Sequence, residues 1–321
     1  MDDGHAMLQV DSSSSVSKSG LDALDALDAL DVRDAFERFE QFAHFFHELL
    51  DGPDPLREAD CRESYREYVP SHYKHLFQPG KSGLSNRQLT WLRRLTPLLN
   101  LPAGTTILDM GGGYGFDSIF LASCGYEMVF CELTSHHIGV CELLKRRWEQ
   151  EFGPLDLRCV LARRSSGHAE RVQATCEAIG KVNAVVLDEV AHHIEPVEDV
   201  FSLCASVLPK DGKIFLLEPN FWNFGTQAFF FRRRGFRTVE PRVDEDTGEA
   251  YLYGNEHLRT HGRWKQLAEQ AGFRLCDTSY IVPYFMHSQP AYHARWRAVA
   301  QKIPVFKSLA ATHLTLHFEK E

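Results

Sequence analysis

Three absences narrow the problem before any motif is read. No stretch of the chain approaches the about 20 consecutive apolar residues that a membrane-spanning helix needs, and Met1 to Gly20 carries neither the basic start nor the apolar run of a secretory signal. The eight cysteines form no CxxC pair. Their scatter through expected strands and helices fits reduced thiols of a cytoplasmic protein better than a disulfide framework. Excess positive charge is missing too. With 35 Lys and Arg against 44 Asp and Glu, the net charge of -9 repels phosphate backbones and anionic bilayers, so neither a nucleic acid nor a membrane is the expected partner.

What is present is ample material for a core, with 44% hydrophobic and 12% aromatic residues in 321. Residues 1–20 are acidic and Ser-rich, a composition that cannot offset its ordering entropy, and read as a disordered tail. Residues 21–100 read as an N-terminal helical cap. Leu21, Leu24, Leu27 and Leu30 repeat every third position, and Phe36, Phe39, Phe42, Phe46 and Leu49 follow at helical spacing. Such an aromatic face packs on the core, closes a lid or joins a homodimer. Asp51-Gly-Pro-Asp-Pro55 breaks the pattern, a polar-aromatic segment runs from Tyr65 to Phe77, and a further helix spans Ser85 to Leu99.

From residue 101 to the end, short apolar strands alternate with helical stretches, the rhythm of an α/β, doubly wound, mostly parallel sheet. Strands are predicted at 105–110, 126–132, 156–161, 182–188 and 212–218, with helices at 116–124, 134–152, 167–179 and 195–208. Two insertions, at about 220–256 and 283–310, interrupt the later part. The first reads as irregular and aromatic-rich. A helix over 257–271, a strand over 273–281 and an edge strand at 311–318 complete the pattern.

The most informative segment is Thr105-Thr-Ile-Leu-Asp109-Met-Gly111-Gly-Gly113-Tyr-Gly115-Phe-Asp117. It reads as a strand ending in an acid, a glycine turn and a helix start, which together leave backbone N–H groups free for a ligand. The dinucleotide fingerprint needs glycine at i, i+2 and i+5. Counting from Gly111 puts Phe116 at the last place, which argues against a nicotinamide oxidoreductase. The second strand ends in Glu132, at the distance where a carboxylate accepts from two ribose hydroxyls.

The pattern Asp109-x-Gly111-x-Gly113-x-Gly115 resembles motif I of class I S-adenosylmethionine (SAM)-dependent methyltransferases. The later segments Asp188-Glu-Val-Ala-His192-His193-Ile, Leu208-Pro-Lys-Asp-Gly212 and Glu218-Pro-Asn220 look like the family's following motifs. The resemblance spans about Thr105 to Phe273 and implies a seven-stranded Rossmann-like sheet. It also implies SAM as cofactor, with S-adenosylhomocysteine as product, and contacts from Asp109, Gly111, Gly113, Gly115, Glu132 and Asp188. Tyr65, Tyr68, His72 and Tyr73 resemble the aromatic segment that covers the methionine end, with Tyr73 the expected contact. The family's acid after the third strand is absent, since Arg163-Arg-Ser-Ser166 stands there, and the adenine partner is open.

The resemblance implies methyl transfer to O or N, less readily C or S, of a small-molecule acceptor of the kind met in secondary metabolism. The alternative is a SAM-binding protein without catalysis. His192 and His193 are the candidate bases. They offer metal-ligand types together with Asp188 or Glu195, yet no HxxxH or Cys/His spacing supports a metal, and none is expected. Trp222, Arg232, Tyr284 and His287 are the candidate acceptor contacts, drawn from the two aromatic insertions. An inward-facing arginine of the Arg232–Arg234 trio would predict an acidic acceptor.

Overall fold

The computed structural model describes residues 31–78, 84–162, 168–243, 248–281, 309 and 311–321. The expected tail, the Leu21–Leu30 repeat, Arg163 to Ser166, Tyr284, His287 and nearly all of the second insertion lie outside them. The chain opens with three helices, α1 (Asp31–Asp51), α2 (Glu63–Phe77) and α3 (Asn86–Leu99). Ser85 starts α3 through a capping box with Gln88, satisfying two backbone donors that a helix start leaves open.

Strands and helices then alternate: β1 (Thr106–Met110), α4 (Phe116–Ser123), β2 (Glu127–Glu132), α5 (Ser135–Phe152), β3 (Leu157–Leu161), α6 (His168–Ile179), β4 (Ala184–Asp188) and α7 (Glu198–Val207). They continue as β5 (Lys213–Pro219), α8 (Phe224–Arg234), β6 (Val239–Val243), β7 (Ala250–Gly254), α9 (His261–Gln270), β8 (Phe273–Ile281) and β9 (His313–Lys320). Seven strands form one sheet in the order β3-β2-β1-β4-β5-β9-β8, and only β9 runs against its neighbours. This is the α/β, mostly parallel, Rossmann-like sheet expected from the alternation. β1, β2, β4 and β5 are buried along nearly their whole length because helices cover both faces.

Two expectations need correction. The closing strand is not at an edge: β9 pairs with β5 on one side and β8 on the other, and its Leu314, Leu316 and Phe318 sit in the core. The first insertion is not irregular, for it contains α8, capped by Asn223, and the two-stranded hairpin β6–β7. Pro241 is tolerated in β6 because a two-stranded ribbon leaves positions whose N–H would face away from the partner.

Helix α1 docks by its ring face. Phe42 lies within 4.7–6.1 Å, centroid to centroid, of the rings of Phe39, Phe46, Phe77, Trp91, Phe120 and Trp148. Aromatic pairs at such spacings add about 0.5–1.5 kcal/mol beyond the area that they bury. The phenylalanine part of the face read as core packing, lid or dimer contact therefore packs on the chain's own core. Among the described residues no helix is long and apolar enough to cross a membrane. All eight cysteines are free, and Cys276 is the exposed one.

Candidate active site

The turn after β1 places its three odd-numbered glycines in the left-handed region, with φ of 72° at Gly111, 61° at Gly113 and 81° at Gly115. They serve different ends. A Cβ on Gly111 would lie 2.2 Å from Val190 Cγ2 and one on Gly115 2.3 Å from Cys141 Sγ, so packing demands both glycines. A Cβ on Gly113 would meet none of the described residues within 4 Å, and there the backbone borders open space. Glu132, at the end of β2, accepts from Gly113 N through Oε1 and from Leu133 N through Oε2, both at 2.8 Å. Each oxygen keeps a lone pair for a further donor, which is what a pair of ribose hydroxyls requires.

Asp109 lies under the turn rather than on it. It is 2% exposed, its Oδ2 accepts from Ser118 Oγ at 2.6 Å, and burial, aided by the nearby Asp117 carboxylate, pushes its carboxyl up to about 8. Tyr73 packs its ring 5.4 Å from Tyr114 inside the glycine turn and 5.0 Å from Phe116, so α2 touches the turn through rings. Asp188, at the end of β4, accepts from Arg94 of α3. Arg94 also lies 3.8 Å from Glu189, and its Nε has no hydrogen-bond partner among the described residues. Although burial disfavours its charge, the carboxylates of Asp188 and Glu189 hold this guanidinium firmly charged. Trp91, one turn before Arg94, donates to Asp117. Sequence reasoning missed Arg94 and Trp91, whose i, i+3 spacing on a capped helix was the available signal.

The two histidines occupy a 3₁₀ turn, Ala191–His193, and behave oppositely. His192 is 3% exposed with Nδ1 2.6 Å from Glu218 Oε2, while Ala191 N donates to Glu218 Oε1 at 2.8 Å. Burial alone would discharge the ring, but the carboxylates of Glu218 and Glu256 raise it to about 10. His192 therefore carries its proton near neutrality and has no lone pair for a base. His193 donates from Nδ1 to Gly254 O at 2.8 Å and stacks on Tyr253 at 4.9 Å. Burial and the neighbouring His192 charge lower its pKa, so the ring is neutral and Nε2 holds a free lone pair.

His193 lines two cavities. The smaller, of about 210 Å³, is bounded by Met110, Gly111, Glu132 and Ala162 from the strand ends and by Tyr251 and Tyr253 from the hairpin. The larger, of about 630 Å³, is bounded by Glu189, His192, Glu256, His313, Thr226 and the rings of Phe229 and Phe230. Trp222 is half exposed at 50% and Arg232 is exposed on the last turn of α8, and neither lines either cavity. Among the described residues no arginine of that trio lines the larger cavity, although the charge of Arg233 acts on Glu256 in its wall. The metal-type cluster also differs from the one considered. Asp188 is taken by Arg94, and Glu195 by His257 and Arg259, both at 2.5 Å, while Glu256 is the acid beside the two histidines.

A mostly parallel seven-stranded sheet with a glycine turn after β1 and an acid closing β2 defines a class I SAM-dependent methyltransferase. The chain belongs to that class: the family described as methyltransferase domain matches residues 84–278. SAM is the cofactor, and the residues fit it, because Glu132 has spare acceptor capacity beside a turn left open at Gly113. Solved structures similar to the chain include a SAM-dependent methyltransferase from Archaeoglobus fulgidus, with 16% identity, 74% of this chain and 95% of that one covered, and a TM-score of 0.45. Magnesium protoporphyrin IX methyltransferase from Synechocystis PCC 6803 has 14% identity, 80% and 97% coverage and a TM-score of 0.46. The 1,6-didemethyltoxoflavin-N1-methyltransferase of Burkholderia thailandensis has 13% identity, 72% and 76% coverage and a TM-score of 0.39. No curated protein sequence matches the chain.

Proposed function

We propose that this protein methylates an oxygen or nitrogen atom of a small-molecule acceptor held in the larger cavity. The observation that carries the reading is the position of His193, whose ring forms part of the wall of both cavities. When bound, SAM supplies an electrophilic methyl on a sulfonium that leaves as a neutral thioether. Glu132 would accept from the ribose hydroxyls, and the backbone at Gly113 would border the methionine end. Asp188 acts through Arg94, which it fixes beside that end. Most of the acceleration in such an in-line displacement comes from positioning, worth up to about 7–11 kcal/mol.

A hydroxyl acceptor must lose its proton as the new bond forms. Of the two histidines anticipated as bases, His193 is suited to take it through Nε2, and His192 is not. Phe229, Phe230 and Pro219 give the acceptor an apolar bed, with Thr226 and Asn223 as polar contacts. That lining favours a planar or partly apolar acceptor of 300–1,000 Å³ site class, roughly the usual size for small ligands.

The test is S-adenosylhomocysteine formation with panels of phenols and amines, followed by His193→Asn. With a hydroxyl acceptor, kcat should fall by about 10²–10⁴ while the SAM Kd is unchanged. An unaltered kcat would remove His193 from the chemistry. A panel without turnover, despite tight SAM binding, would favour the non-catalytic alternative.

A further inference from the structure

The two histidines share a feature that methyl transfer alone does not explain. Each ring has Nδ1 engaged by a fixed acceptor, Glu218 Oε2 at 2.6 Å for His192 and Gly254 O at 2.8 Å for His193. With the rings side by side, centroids 4.0 Å apart, His193 Nε2 holds a free lone pair, while His192 Nε2 faces Glu256 and binds an ion by releasing its proton to solvent. Glu256, which follows β7 and adopts φ of 54°, brings Oε2 to 3.4 Å from His192 Nε2. One ligand atom from each of His192, His193 and Glu256 can be chosen so that all lie within 4.8 Å of one another, and all three residues border the larger cavity.

We propose that His192, His193 and Glu256 form a binding site for a divalent transition-metal ion. Two imidazoles and one carboxylate are the donor set of Fe(II), Zn(II) and Co(II) sites, whereas Mg²⁺ and Ca²⁺ prefer oxygen-only shells. Metal-ligating histidines nearly always donate their other ring N–H to a carboxylate or backbone carbonyl, and here one ring has each. Glu218 is the positioning residue: it is 1% exposed, and Ala191 N holds its second oxygen. The cavity side supplies the remaining coordination positions. An acceptor hydroxyl bound there would release its proton to solvent, and its oxygen would attack the methyl carbon as the C–S bond breaks with its electron pair staying on sulfur. The His193 lone pair thus takes the proton in the metal-free protein and holds the ion in the loaded one. The ion site does not depend on the methyl-transfer reading.

Co²⁺ is the probe, added to full-length protein stripped with a chelator, in a Cys276→Ser background that removes the exposed thiol as a competing ligand. Visible d–d absorption should saturate at a single ion per chain. Glu218→Gln should weaken binding about 10–100-fold without changing the SAM Kd, as expected for a group acting through a ligand. Glu256→Gln and His193→Ala should each abolish the saturable signal, and Glu256→Gln is the safer variant because its side chain is 18% exposed. The wild type failing to bind Co²⁺, or binding it with unchanged affinity in Glu256→Gln, overturns the proposal and leaves His192–Glu256 as a plain ion pair. SAM titration of the same samples reports separately on the cofactor site.

Discussion

Replacing Asp109 with asparagine separates a residue that touches the cofactor from one that supports the turn. Its carboxyl is buried against Ser118, and its pKa stands at about 8 instead of 3.8. In the folded protein the group stays protonated up to that pH, whereas in the unfolded chain it ionises near 3.8. Its contribution to stability is therefore full below the unfolded value and lost as pH rises toward the folded one, at about 1.4 kcal/mol per pH unit. Between pH 5 and pH 8 the loss amounts to about 4 kcal/mol, and at roughly 2 °C per kcal/mol the melting temperature shifts by about 8 °C. Asp109→Asn removes this term and keeps the shape. The difference in Tm between wild type and variant, measured by calorimetry across that pH range, should change by the same amount. The SAM Kd at pH 7 should stay put. Parallel Tm curves would refute the buried, protonated state. A tenfold or greater weakening of SAM, about the size of one lost charged hydrogen bond, would put Asp109 on the ligand instead.

Glu132→Gln should weaken SAM and S-adenosylhomocysteine about tenfold or more in calorimetric titration, because an amide cannot accept from Gly113 N and Leu133 N through both of its end atoms. An unchanged Kd would leave the ribose without this partner. Phe42→Ala should cost about 3–5 kcal/mol in denaturant unfolding, since six rings lose their common neighbour. A cost under about 1 kcal/mol would mean that α1 is held by something other than its ring face.

The sheet was legible because fully buried parallel strands read as continuous apolar runs, as in Ala184 to Leu187, and the glycine turn was legible because it violates side-chain preferences within five positions. The place of β9 was not. Its alternation of Leu314, Leu316 and Phe318 with Thr315 and His317 looks half-solvated, yet Thr315 is buried and His317 packs 4.8 Å from the ring of Phe215. Lateral order in a sheet depends on pairing partners distant in sequence, which alternation does not encode. The hairpin was hidden for a related reason: β6 contains Pro241, Glu240 and Arg242 and buries little. The histidine pair was found, but its division of roles was not, since Glu218 and Gly254, far along the chain, decide which ring is charged and which is neutral.

The interior position of β9 also sets a timetable. During synthesis the edge of β5 has no partner until His313 has left the ribosome, about 90 residues after Pro219, and at 5–20 residues per second that wait is roughly 5–20 s. An open strand edge is a template for pairing with other chains. Expression yield of this protein should therefore respond to translation speed and chaperone supply in the stretch after β5, more than to changes in the first half of the sheet.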